Sequence, residues 1–220
     1  MLRGIFVTGT GTGVGKTVVA AALFHRYRRS APLRYWKPVQ TGIEGDDDTA
    51  TVSRLTGCRH GDLLEGGIRL PRPVSPHLAA RLSGQRIAVS EVVAIVMREP
   101  STPWIIEGAG GVLVPLNDSE TMVDLMCELA IPVVIAAQST LGTINHTLLT
   151  IEALRACRLR VAGVVMVGPP DAENRAAIEH HGNVTVLGEL PLLEPLTMAA
   201  LAGWASHGLD RDGALKENFE

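Results

Sequence analysis

Two rhythms of apolar residues alternate along the chain. Residues 5–8 form an apolar, β-branched run, residues 9–15 hold four glycines, and residues 17–29 carry Ala, Leu and Phe at helical spacing. The chain therefore opens as strand, loop and helix. The alternation repeats: residues 33–39 read as a strand, 49–55 as a helix, 104–107 as a strand, 121–129 as a helix and 131–137 as a strand. Residues 143–157, 161–167, 171–180 and 184–190 follow as helix, strand, helix and strand. A succession of βαβ units predicts an α/β fold of three layers, a mostly parallel central sheet flanked by helices. Patterning weakens over residues 57–103, where Pro71, Pro73 and Pro76 space an extended stretch before two helices at 76–82 and 90–98. That segment reads as an insertion packed on the sheet. From His207 the periodicity gives way to polar residues, which predicts one domain over residues 1–206 and a flexible tail over 207–220.

Charge and composition narrow the partners. The formal net charge is -3, aromatic residues make up 4% of the chain, and the one basic stretch is the short run at residues 25–29, so no nucleic-acid partner is expected. No run approaches the ~18 to 20 apolar residues of a membrane span. The first seven residues carry no charged region leading into a long apolar segment. A cytoplasmic protein with a small-molecule partner and no membrane association is the expectation. Cys58, Cys127 and Cys157 are separated and form no CxxC pattern, which favours reduced thiols without assigned chemistry. Arginine outnumbers lysine 17 to three, and two of the three lysines, Lys16 and Lys37, fall inside motifs. Where a compact point charge stands in a chain that otherwise uses the planar fork, it calls for a chemical reason.

The first motif supplies one. In VTGTGTGVGKT, Gly9, Gly11, Gly13 and Gly15 let successive backbone N–H groups turn inward at a helix N-terminus, forming a cradle for phosphate. Lys16 would reach the β and γ phosphates and the Thr17 hydroxyl would ligate magnesium, the usual division of labour in a P-loop NTPase fold. The strict GxxxxGK[ST] spacing fails because Thr10 stands at its first glycine, so this is a variant loop that begins at Gly9.

Magnesium on a triphosphate needs one or two carboxylates besides Thr17. Glu107 ends an apolar strand and opens the turn EGAGG, at the strand edge where open α/β sheets bind ligands. Asp46, Asp47 and Asp48 precede a helix, and either cap it or contribute one ligand; spacing does not choose among them. Lys37, in YWKPVQTG, sits at the end of the second strand and would add positive charge beside Lys16, as phosphoryl transfer requires. Thr41 and Gly42 follow in a loop able to touch a substrate. Gly142, Thr143, Ile144 and Asn145 enter another helix and either hold a carboxylate or merely begin it. Gly168-Pro169 and Pro191-Leu192 follow later strands on the same edge, lining a base pocket or forming ordinary turns.

Together, VTGTGTGVGKT, YWKPVQTG, GDDDTA, IEGAGG and LGTINHT, in this order and spacing over most of residues 4–191, resemble dethiobiotin synthetase. The resemblance implies an ATP- and Mg2+-dependent ligase, working as a homodimer, that carboxylates 7,8-diaminononanoate with CO2 or bicarbonate and closes the ring through a carbamate and a carbamic-phosphoric anhydride. It implies Thr17, Asp48 and Glu107 on magnesium and Lys37 with Lys16 as catalytic residues. Gly13, Val14, Gly15, Lys16, Thr17, Val18, Asp48, Glu107, Gly108, Ala109, Gly110, Val167, Gly168, Pro191, Leu192 and Leu193 become the nucleotide-binding set. Thr41, with Gly142, Thr143, Ile144 and Asn145 of the partner subunit, becomes the substrate-binding set. Two positions depart from the family's pattern: Gly13 stands where members often carry an acidic residue, and Val167 or Gly168 replaces an Asn that contacts the base. The rival architecture, a switch ATPase that positions proteins or DNA, typically carries a lysine at the place of Gly11 and, when membrane-bound, a basic amphipathic C-terminal helix; this chain has neither.

Overall fold

The computed structural model describes residues 2–220. A seven-stranded sheet runs in the order β4-β2-β6-β1-β7-β8-β9, with β1 (Arg3–Gly9) near its centre. Its neighbours are β6 (Pro103–Gly111) and β7 (Val133–Gln138), flanked in turn by β2 (Arg34–Trp36) with β4 (Leu63–Leu64) and by β8 (Val161–Val167) with β9 (Val186–Leu190). Every pairing in it is parallel. The chain leaves β1 toward β2 on one side and later crosses to β7 on the other, so strand order reverses beside β1. A crevice opens at the carboxyl ends of the strands at such a point.

The period of two along each strand divides the core into two faces. Ile5, Val7, Tyr35, Ile105, Val134, Ala136 and Val165 face α1 (Lys16–Tyr27), α2 (Asp48–Thr56) and α8 (Met198–Gly208). Phe6, Trp36, Trp104, Ile106, Val133 and Ile135 face the opposite layer. That layer holds α3 (Pro76–Leu82), α4 (Val89–Val96), α5 (Met122–Leu129), α6 (Thr143–Ala156) and α7 (Ala172–Gly182). Continuous apolar strands follow from coverage on both faces.

Three expectations change. The strand expected over residues 33–39 is two: β2 ends at Trp36, and β3 (Val39–Thr41) leaves to pair in parallel with β5 (Ile68–Leu70) in a separate small sheet. Pro38 lies at the break, where it has no N–H to offer a ladder, and its carbonyl instead accepts from the Ile68 N–H at 2.8 Å. The segment over residues 57–103 does not only pack on the sheet, since β4 extends the main sheet at its edge. Residues 207–220 are not a loose tail, because Leu209, Leu215 and Phe219 are buried with the α1 face and the Phe219 ring lies 4.6 Å from that of Tyr27. Polar composition concealed three apolar anchors and a buried acid: Asp210 is 2% exposed, accepts from Ala214 N and Leu215 N at 2.9 Å each, and takes the Tyr27 hydroxyl.

Candidate functional site

The variant loop joins β1 to α1, and Gly15 is the N-cap of that helix at φ 92°. A side chain there would be strained by the backbone and would also press on Val167, whose Cγ1 lies 3.0 Å from where a Cβ would stand. Lys16 folds back over the loop, its Nζ donating to the Gly11 carbonyl at 2.7 Å. Burial, and then the neighbouring Lys37 ammonium, lower its pKa to about 8.

Parallel register brings the remaining groups together. Tyr35 pairs with Ile105 and Trp36 with Ile106, which places Lys37 just beyond β2 and level with Glu107 on β6. The Lys37 ammonium lies 2.7 Å from Glu107 Oε1 and 2.6 Å from Asp48 Oδ2, and it donates to the Gly108 carbonyl at 3.0 Å. The Thr17 hydroxyl, in the first turn of α1, lies 2.7 Å from Asp48 Oδ1 and 3.0 Å from Glu107 Oε1, so its one proton is shared between the two carboxylates. Asp48 opens α2, while Asp47 before it caps that helix by accepting from Thr49 N and Ala50 N. The acidic run thus divides its labour: one carboxylate serves the helix and another faces the loop.

Lys37 and Glu107 are buried, at 5% and 0% exposure, so their charges interact with little screening. Burial alone would lower the Lys37 pKa, but Glu107 and Asp48 outweigh it and hold the ammonium above its usual range. Asp48 is affected oppositely: burial raises it, and Lys37 with the Thr17 hydroxyl and Lys16 bring it below the usual carboxylate range. Tyr35 completes the cluster, donating its hydroxyl to Glu107 Oε2 at 2.8 Å. Burial, then the Glu107 charge, raise its phenol well above the ordinary value.

A cleft of about 680 Å3 opens over these groups. Gly13, Gly15, Lys16, Thr17, Val18, Lys37, Thr41, Asp48, Glu107, Ala109 and Gly110 all line it, which gathers most of the residues singled out from sequence. Val14 is buried under the loop and Gly108 contributes its carbonyl to Lys37. Val167, Gly168 and Pro191 meet on the far side of the loop, where β8 and β9 end and Gly168 N donates to Leu190 O at 2.9 Å; Leu192 is exposed and Leu193 partly buried beside them. Gly142, Thr143, Ile144 and Asn145 start α6 after β7 and do not line the cleft. Sequence reasoning missed the stretch Pro73, Val74, Ser75 and Pro76, which forms part of the cleft wall, and it missed Tyr35. Tyr35 lies in β2 two residues before Lys37, which follows the strand, and in a sequence that reads as one extended run that spacing was the available signal.

The donor set of one hydroxyl and two carboxylates is all oxygen, which suits magnesium and does not suit a softer ion. Among the described residues no group of three or more His, Cys, Asp or Glu side chains is placed to hold an ion by itself. A magnesium ion here would therefore take further ligands from phosphate and water, as that ion ordinarily does. A second cleft, of about 430 Å3, opens at the opposite edge of the sheet and is lined by Cys127 and Cys157, with burial and then Cys157 pushing the Cys127 thiol up to about 11.

No helix among the described residues is long and apolar enough to cross a membrane. Among solved structures, McdA from Cyanthece covers 100% of both chains at 14% identity and a TM-score of 0.61. The cell division ATPase MinD of Pyrococcus furiosus covers 99% of this chain and 97% of that one at 15% identity and a TM-score of 0.59. Likeness at this identity shows a common fold and nothing of function. A family model described as an AAA domain matches residues 3–200. The bifunctional biotin biosynthesis protein BioCD of Bordetella avium is 43% identical over 217 residues, 98% of this chain and 45% of that protein, so the chain spans less than half of that relative. The ATP-dependent dethiobiotin synthetase BioD of Paramagnetospirillum magneticum is 46% identical over 202 residues, 92% of this chain and 94% of that protein. BioD of Rhodopseudomonas palustris strain HaA2 is 44% identical over 217 residues, 99% of each. Identity at this level over nearly the full length of such single-function relatives means that the chain belongs to the ATP-dependent dethiobiotin synthetase family.

Proposed function

We propose that this protein carboxylates 7,8-diaminononanoate and closes its ureido ring, using CO2 and ATP and releasing dethiobiotin, ADP and phosphate. The observation that carries the reading is the convergence below the glycine loop of Thr17, Asp48, Glu107 and Lys37, in which Thr17 and Lys37 each lie within hydrogen-bonding distance of both carboxylates. The intermediates on the proposed path are anionic: a carbamate forms when an amine adds to CO2 and loses a proton, its oxygen takes the γ-phosphoryl group with release of ADP, and the second amine attacks the carbonyl of the mixed anhydride with loss of phosphate and a proton. Bringing carbamate and triphosphate together costs electrostatic work, which preorganised cations lower. Lys16 and Lys37 supply those charges, and no side-chain nucleophile is required.

Thr17, Asp48 and Glu107 would hold the magnesium ion, whose charge offsets that of the phosphates. Gly13 through Val18 would surround the phosphates, and Val167, Gly168, Pro191, Leu192 and Leu193 would lie toward the base. Thr41, on the wall of the same cleft, would touch the diamine. Gly142, Thr143, Ile144 and Asn145 lie outside this cleft, which fits their assignment to the active site of a second copy in a homodimer. Leu141 just before α6 and Leu149 on it, exposed at 103% and 61%, supply apolar surface of the kind such an interface buries.

The test is phosphate release from ATP with bicarbonate and magnesium, with and without 7,8-diaminononanoate, followed by mass analysis of the product. Release that depends on the diamine and yields dethiobiotin is expected. Hydrolysis indifferent to the diamine would end the substrate assignment while leaving the nucleotide site in place.

A further inference from the structure

Glu107 has no exposure to solvent, so each of its oxygens depends on the protein for partners. Oε1 is shared between the Lys37 ammonium at 2.7 Å and the Thr17 hydroxyl at 3.0 Å. Oε2 takes the Tyr35 phenol at 2.8 Å. The last torsion of a glutamate is broad and nearly two-fold, so a carboxylate held through one oxygen alone would swing about it. Held through both, its plane is fixed.

Tyrosine suits that second contact by its length and by its charge. Tyr35 pairs with Ile105, so its side chain rises on the face of Ile105 and Glu107 from one pleat below. The step from Ile105 to Glu107 is two strand residues, roughly 6.6 Å, a distance that a phenol spans and a shorter polar side chain does not. A second cation in this position would fix the carboxylate equally well but would also neutralise it. A neutral hydroxyl orients Glu107 and leaves its negative charge to Lys37 and to a metal ion, as partners behind metal ligands commonly do.

Resting on the nucleotide and magnesium reading of the cleft, we propose that Tyr35 is a positioning residue. Its hydroxyl sets the plane of the Glu107 carboxylate so that Oε1 faces Thr17 and the metal, and it thereby sets the magnesium affinity of the nucleotide site. Tyr35 is fully buried and does not line the cleft, so its effect passes through Glu107.

Tyr35→Phe removes one oxygen and keeps the ring that packs in the core. A fluorescent ATP analogue, titrated with magnesium, reports metal binding without turnover. The magnesium concentration at half-saturation should rise roughly tenfold in the variant, the lower end of the usual effect of such partners, while analogue affinity in EDTA stays within about twofold of wild type. A double-mutant cycle with Glu107→Gln separates positioning from general loosening of the fold. In the Glu107→Gln background, Tyr35→Phe should add no further loss, because the carboxylate it orients is gone. A Tyr35→Phe protein with wild-type magnesium dependence overturns the inference, and so does a loss of equal size in both backgrounds. Wild-type binding that ignores magnesium altogether would overturn the parent reading and this inference with it. If only the inference fails, wild-type binding keeps its magnesium dependence.

Discussion

The molecule buries two carboxylates against two phenols, and they are put to opposite uses. At the carboxyl edge of the sheet Glu107 meets Tyr35, and near the chain's end Asp210 meets Tyr27. Glu107's other partners are the side chains of Lys37 and Thr17, which can exchange a contact for a ligand without disturbing the backbone. Asp210's other partners are the backbone N–H groups of Ala214 and Leu215, which fix the path of the chain and have no alternative acceptor. A buried acid satisfied by side chains beside an open cleft is a site; one satisfied by backbone under an apolar cap is a fastening. Burial and a raised phenol accompany both, so the identity of the partners decides.

Lys37→Ala should have the largest effect of any single change at the site. Removing a preorganised charge from a developing anion ordinarily costs at least about a hundredfold in turnover, and here it should do so while nucleotide binding persists, because Lys16 and the loop remain. Steady-state phosphate release beside analogue binding makes the check. Near wild-type turnover would remove Lys37 from the chemistry and make the Glu107 cluster another fastening.

Asp210→Ala tests the other half. It strands the Tyr27 hydroxyl and two backbone donors, so the protein should lose about 2 kcal/mol of stability, roughly 4–8 °C in melting temperature for a chain of this size. Magnesium-nucleotide affinity should be unchanged. A variant that melts normally but binds nucleotide poorly would show that the C-terminal segment communicates with the site.

The two regions also differ in how far the sequence exposes them. The phosphate loop, Lys37, Glu107 and the acidic run were readable because each sits at a fixed place in a strand-loop-helix unit, where a glycine or a charge interrupts apolar periodicity. The parallel layered fold was readable from the same alternation. Composition could not choose Asp48 from its neighbours; Asp47 takes the capping role by accepting from two helix N–H groups, which leaves Asp48 turned toward Thr17. Nor could it show β3 leaving the main sheet, since the cause lies in Pro38 together with a partner strand some thirty residues on. The C-terminal fastening was hidden because Leu209, Leu215 and Phe219 are spaced by turns that carry no helical or strand period. Tyr35 stands two residues before Lys37, a spacing that names no partner for its hydroxyl; the register with Glu107 supplies that partner.

The smallest expected effect is also the most specific to the fastening. Tyr27→Phe keeps the ring against Phe219 and removes only the hydroxyl from Asp210, so at neutral pH it should cost about 1 kcal/mol. Burial first, and then Asp210, raise the Tyr27 phenol far above its ordinary 10.0 in the folded protein. A group whose folded pKa is raised contributes stability that is complete below its unfolded pKa and is lost as pH climbs toward the folded one. Wild type should therefore lose stability above about pH 10 through this residue, whereas the Phe variant has nothing there to titrate. Denaturant unfolding of both proteins from pH 7 to pH 11 should show a constant gap up to about pH 10 and a shrinking one beyond it. A gap that stays constant across the whole range would mean that the Tyr27 hydroxyl is as easily ionised in the folded chain as in the unfolded one, and the Asp210 fastening would rest on its backbone donors alone.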